Sequence, residues 1–159
     1  MLSIRPATLN DAALLVALIR ELADYEKELD SVEITESDLQ RDGFGPDPKF
    51  RALIADWDGQ PAGYAFFFDF YSTWTGRHMF LEDLFVRPQF RGKGIGGSLM
   101  AKVAEIAEQE QCNAMRWEVL GWNQPAIDVY RSLGAEFLDD WRLMMLRGKP
   151  LRDLAEQAR

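Results

Sequence analysis

The stretch FLEDLFVRPQFRGKGIGG, residues 80–97, decides the fold. Its first seven residues are mostly Phe, Leu and Val, the composition of a strand buried in a sheet. Four glycines then fall between Gly92 and Gly97. After them Ile95, Leu99, Val103 and Ile106 recur at helical spacing, which predicts a helix to about Gln111. Glycine allows tight, positive-φ turns and close approach of backbone to a ligand. A helix that opens on such a turn presents unpaired N–H groups and the positive end of its dipole, which together suit an anion. Arg87, Arg91 and Lys93 add positive charge around the turn, and a diphosphate is the natural guest.

Outward from this block, residues 2–5 read as a first strand. A helix follows from about Asn10 to Glu28, and Thr35-Glu36-Ser37-Asp38 resembles a capping box for a short helix to about Arg41. Three strand-like runs occupy 50–57, 62–71 and 78–86, with Asp58-Gly59 a hairpin signal between the first two. Downstream, 114–120 reads as a strand, about 124–133 as a helix stopped by Gly134, 141–147 as a last strand and 150–158 as weakly helical. The order implies an α/β (α+β) fold: a mixed, mostly antiparallel central sheet flanked by helices, in a single domain of residues 1–159.

Composition narrows the chemistry. One Cys, Cys112, excludes an internal disulfide and multi-cysteine metal sites, and suits a reducing compartment. One His, His78, excludes two- and three-histidine metal centres, so no metal is expected. Cys112 with His78 is a poor acyl-enzyme pair, because they lie 34 positions apart in different elements, and His78 reads as a surface residue at a strand start. The net charge of −8 argues against a nucleic-acid partner. Nine acids against three bases over residues 1–40 favour a cation, or form a solvated helix face. No apolar run is long enough for a membrane span, and the N-terminus lacks the basic region of a signal peptide. A cytoplasmic protein is the expectation.

Two readings of the glycine turn compete. Gly92-x-Gly94-x-x-Gly97, with Glu118 about 20 residues on, matches the dinucleotide fingerprint. That fold needs a long parallel sheet after its first turn, and only about 60 residues remain here. The second reading is acyl-coenzyme A. Arg91-Gly92-Lys93-Gly94-Ile95-Gly96 fits [Q/R]-x-x-G-x-[G/A], and IRPAT (4–8), ELADYE (21–26), DGFG (42–45), FLEDLFVRPQFRGKGIG (80–96) and WNQPAIDVYRSLGA (122–135) occur in order. Together these resemble the GNAT N-acetyltransferases, in particular their diamine (spermidine/spermine) branch.

Glu82 and Asp83 interrupt the apolar run. In a regular strand they would face opposite ways, Glu82 with Leu84 and Val86. A half-buried carboxylate has a raised pKa and suits a base; a carboxylate paired with Arg for structure is the alternative. The resemblance implies acetyl-CoA as donor, direct transfer to a primary amine of a small cationic molecule, and a homodimer. It implies Tyr130 as general acid, while Glu82, acting through water, is the candidate base by the burial argument above. The strand backbone at Leu84, Phe85 and Val86 and the loop Arg91, Gly92, Lys93, Gly94, Ile95, Gly96 and Gly97 would hold the coenzyme, with Asn123 and Ala126 on the pantetheine arm. Tyr25, Glu26, Glu82 and Asp83 match substrate positions. Two departures, the short acidic segment 136–141 with Asp139 and Asp140 and the acid Glu118, leave the amine open among polyamines, diamines and thialysine-like molecules. A non-catalytic acyl-CoA or nucleotide-binding regulator on the same fold is the second hypothesis.

Overall fold

A computed structural model describes residues 1–158. Two compact units divide the chain, the first Met1–Glu118 and the second from Val119 onward. In the first, β1 (Leu2–Pro6), β2 (Arg51–Trp57), β3 (Gln60–Ser72), β4 (Gly76–Val86) and β5 (Ala114–Arg116) form one sheet in that order. All neighbours are antiparallel except β4 and β5, which run parallel. The mixed, mostly antiparallel sheet expected from the sequence is therefore present. Asp58 and Gly59 both take positive φ, 50° and 78°, the type I′ hairpin that Asp-Gly announces.

The helices of this unit are α1 (Ala12–Tyr25), α2 (Glu36–Phe44) and α3 (Ile95–Gln109). α1 stops three residues earlier than expected, where Lys27 enters the left-handed region at φ 64°. α2 carries its capping box: Thr35 accepts from Asp38 N, and the Asp38 carboxylate accepts from Thr35 N. Leu15, Leu18, Leu39, Ile54, Tyr64 and Phe85 anchor the core where α1 and α2 cover the sheet. His78 sits inside β4, only 4% exposed, and not at the surface; the apolar faces of the neighbouring strand residues carry it in. Its Nε2 meets Thr75 Oγ1 at 2.7 Å.

One irregularity shapes the sheet. Phe66 pairs with Asp83, yet the next β3 residue, Phe67, pairs with Leu81. Glu82 is thus an extra residue on β4, a β-bulge, which bends a strand and increases its local twist. The parallel ladder to β5 covers only His78–Phe80 and ends just before this point. This explains why the strand expected over 114–120 is cut to three residues. A parallel partner follows a regular strand, and β4 ceases to be one at Glu82.

In the second unit α4 spans Gln124–Ser132 and α5 Lys149–Glu156. α4 ends in a Schellman motif: Gly134, at φ 88°, donates to Arg131 O and Ala135 donates to Tyr130 O. The strand expected over 141–147 is absent. Its apolar run Leu143-Met144-Met145-Leu146 lacks the alternation that distinguishes a strand from irregular chain, and no ladder partners it.

The start of the fold is tied by an ion-pair fork. Arg5 on β1 donates two hydrogen bonds to Asp11, at 2.8 and 2.9 Å, and a third to Asp56 on β2. Asp11 also accepts from Thr8, and its carboxyl is held down at about 2, first by the Arg5 bonds. Asp11→Asn is expected to cost about 1 kcal/mol, trimmed because Arg5 is partly exposed to solvent. The folded-state pKa lies below the unfolded one, so this stability is present above pH ~4 and disappears as pH falls through ~2. Denaturant titrations of both proteins between pH 7 and 2 should converge at the acid end.

Candidate active site

The bulge gathers carboxylates. Asp83 lies opposite Phe66, on the sheet face that carries Tyr64 and Phe85, and its Oδ2 accepts from Tyr64 Oη at 2.8 Å. Burial pushes the Asp83 carboxyl up to about 6, against the Tyr64 bond, and the charge of Glu26 pushes the same way. Glu82 is exposed, yet loss of hydration raises its pKa as well, with Asp83 and Glu118 adding repulsion. Glu26, just beyond α1, is raised by burial and then by Glu28. The extra residue interrupts the strand's alternation at Glu82, directly beside Asp83. Both carboxylates act on the Tyr64 hydroxyl.

These acids differ from several others in this unit. Asp11, Asp38, Asp42, Asp56, Asp69 and Glu110 each pair with an arginine. Among the described residues no arginine forms an ion pair with Glu26, Glu82, Asp83 or Glu118. They form no metal site either: no group of three or more His, Cys, Asp or Glu among the described residues could hold an ion. The cluster concentrates negative charge, and such a field attracts cations.

Next to the acids β4 leaves an edge. Arg87 N donates to Ala62 O at 2.8 Å. Antiparallel alternation then turns the backbone of Phe85 toward β3, and that of Leu84 and Val86 away from it, beyond the end of the β5 ladder. Leu84 and Val86 thus keep backbone groups for a ligand, whereas Phe85 contributes a ring to the core. Val86 O receives Arg91 Nε at 3.0 Å. The Arg91 guanidinium lies over the ring of Tyr25, 4.7 Å from its centroid, which brings the end of α1 to the glycine loop.

The loop is built as an anion cradle. Gly92 and Gly94 have φ of 77° and 75°, and a Cβ at either would meet nothing within 4 Å. Their conformation and the open space above them, not internal crowding, account for glycine here. Gly94 is the N-cap of α3 and has no side chain to cap it, so the N–H groups of Ile95, Gly96 and Gly97 lack helical acceptors. The Ile95 side chain is buried, 1% exposed, leaving its backbone for this role. Lys93 Nζ rests 4.9 Å from the Trp57 ring centroid. Arg87 does not belong to the cradle: it forks onto Glu21 at 2.9 and 2.7 Å and donates to Pro61 O, a structural clamp. These free amides, glycines and cations fit the pyrophosphate of coenzyme A. Cys112 does not compete as a nucleophile, since burial pushes its thiol up rather than down.

In the second unit Asn123 is the N-cap of α4, and Ala126 and Tyr130 follow at helical intervals, all three half-buried on one face. The sequence reading missed Tyr64. Its only signal was a tyrosine among phenylalanines in AGYAFFF, where a hydroxyl in a fully buried strand needs a partner.

Residues 15–135 match the family model described as Acetyltransferase (GNAT) family. The chain belongs to the GNAT acetyltransferases. It is 42% identical over 96% of both chains to a thialysine N-epsilon-acetyltransferase of Sus scrofa. It is 33% identical over 94% of both chains to one of Caenorhabditis elegans. Against the spermidine/spermine N(1)-acetyltransferase-like protein 1 of Homo sapiens it is 38% identical over 96% of this chain and 23% of that one. An integron cassette protein from Vibrio cholerae superposes with a TM-score of 0.80 at 26% identity, over 98% of both chains. A GNAT protein of this kind is an acyl-CoA-dependent N-acetyltransferase with acetyl-CoA as donor, and the diamine branch read from the sequence agrees with these relatives. The regulator hypothesis gives way to an enzyme. No helix among the described residues is long and apolar enough to cross a membrane.

The Asp83 environment has a thermodynamic consequence. Its folded pKa lies above the unfolded value, so the contribution favours the fold below pH ~4 and is lost as pH rises through about 6. Asp83→Asn, which can still accept from Tyr64, is therefore expected to be more stable than the parent at pH 8 by about 1–2 kcal/mol. Thermal melts from pH 8 to pH 4 should show that gap closing on the acid side.

Proposed function

We propose that the substrate is a small molecule with one primary amine to acetylate and a further positive charge: a polyamine, a diamine or a thialysine-like amino acid. The observation that carries this reading is the group Glu26, Glu82, Asp83 and Glu118, none of which is paired with an arginine among the described residues, beside the open β4 edge. An incoming ammonium relieves their repulsion, whereas an anion or a neutral amide gains nothing. Tyr25 and Glu26 would receive the distal charge through a carboxylate and an aromatic face. The names of the relatives support the same class.

An aliphatic amine has a pKa near ~10.4 and must lose a proton before it attacks. Glu82, at the bulge and still reached by water, is the base in this reading, and Asp83 seats the ammonium. The donor supplies an activated acetyl thioester. The chain's own part is to hold it through the amides of Gly96 and Gly97, the Leu84 and Val86 backbone, Arg91 and Lys93. By their match to the GNAT pattern, Asn123 and Ala126 hold the pantetheine arm and Tyr130 returns a proton to the thiolate. Transfer is direct, without an acyl-enzyme. The resemblance also supports one domain over 1–159, into both units of which the family match extends. It supports a homodimer too, and the exposed apolar residues Trp141 and Leu143 to Leu146 form a surface of the kind a second copy covers. A lone cysteine accords with the cytoplasm.

Two measurements test the reading. Gly97 has ordinary φ and open space around its missing Cβ, so Gly97→Ala should fold as well as the parent, or better by about 0.5–1 kcal/mol. It should nonetheless weaken coenzyme A binding about tenfold by calorimetry; unchanged affinity would remove the pyrophosphate from this turn. For the amine, Glu26→Gln should raise KM for a diamine several-fold and leave a monoamine nearly unchanged. Equal shifts for both would return Glu26 to the solvated surface.

A further inference from the structure

Tyr64 has no part in the chemistry described so far. It is fully buried, packed with Leu15, Leu18 and Ile54 beneath α1, and it pairs with Phe85 on β4. Its ring would serve that core equally well as phenylalanine, the residue that follows at 66, 67 and 68. The hydroxyl is what differs. It crosses diagonally to the neighbouring pair on the ladder and donates to Asp83 Oδ2 at 2.8 Å. Burying a hydroxyl without a partner costs free energy, and a carboxylate is the strongest acceptor available to it.

Asp83 needs this bond. Glu26 faces it from the end of α1 and Glu82 adjoins it on β4, both anionic, and Glu118 acts on Glu82 in turn. Tyr64 from β3 is the one group that favours its ionised form. Among the described residues, Asp83 Oδ1 accepts no hydrogen bond. One oxygen is therefore held by the core and the other is left to a ligand. A short carboxylate next to a bulge has no ladder bond at Glu82 to steady it. A buried hydroxyl on a central strand supplies the fixed point that precise capture of an amine requires.

We propose that Tyr64 is a positioning residue for amine capture: its hydroxyl clamps Asp83 Oδ2 so that Oδ1 receives one ammonium group of the substrate. The proposal rests on the reading that Asp83 belongs to the amine site. It assigns a role in substrate selection to a residue of the core, with no contact to substrate. Removing the hydroxyl loosens the carboxylate and also makes it easier to protonate.

Steady-state kinetics of Tyr64→Phe with a diamine decide the matter. KM for the amine should rise about 5–30-fold at pH 7 with kcat changed much less, and the acid limb of kcat/KM should move to higher pH. KM for acetyl-CoA should stay within about twofold. In an Asp83→Asn background the same substitution should add nothing, since its effect runs through that carboxylate. An unmoved acid limb, or equal losses for amine and acetyl-CoA, overturns the proposal. Asp83→Glu gives a second route if Tyr64→Phe folds poorly, because the longer arm carries the carboxylate off the hydroxyl; an unchanged amine KM there also counts against the clamp. If Asp83→Asn leaves the amine KM unchanged, the placement of Asp83 in the amine site falls first. If Asp83→Asn raises it and Tyr64→Phe does not, only the role of Tyr64 falls.

Discussion

A single surplus residue on β4 governs this molecule. Without the bulge at Glu82, β4 would alternate regularly and β5 could follow it to Val86. With it, the ladder to β5 stops after Phe80, the backbone of Leu84 and Val86 is left without a strand on that edge, and Glu82 and Asp83 work on the same neighbourhood. A ligand-binding edge inside a sheet is otherwise hard to make, because unpaired strand groups attract further strands. The bulge confines the opening to a few residues, and Arg91 occupies the Val86 carbonyl from the loop side.

Opposite charges are kept apart along a short length of chain. The acids lie around the bulge and the end of α1. About a dozen residues on, the α3 N-terminus offers free amides with Arg91 and Lys93 close by. A protein of net charge −8 can hold a diphosphate only if its local field is reversed there. Locking Arg87 onto Glu21 removes a cation that the sequence suggested for that purpose. The reversal therefore depends on backbone dipoles more than on side-chain charge.

Features with a local cause were legible in the sequence: the Asp-Gly hairpin, the Thr35 capping box, the glycine turn into α3 and the Gly134 stop of α4. Each depends on backbone preferences within four or five residues. What the sequence concealed depends on pairing between distant segments. The bulge at Glu82 is visible only when β3 and β4 are aligned. The burial of His78, the clamp on Arg87 and the bond from Tyr64 to Asp83 are of the same kind. The candidate site residues came mainly from the resemblance to the GNAT pattern, while the state of Asp83 depends on neighbours 19 and 57 positions away, Tyr64 and Glu26. The expected strand over 141–147 failed for the opposite reason, since an apolar run alone does not specify a partner.

Lys93 parked on the Trp57 indole gives the loop a resting state. A cation over an aromatic face is held by about 0.5–1 kcal/mol where water has access, little enough for an arriving phosphate to outbid it. The ammonium can therefore swing from ring to anion without disturbing the helix behind it. The indole that loses its ammonium neighbour changes its electrostatic surroundings, so filling the turn reaches β2 through Trp57.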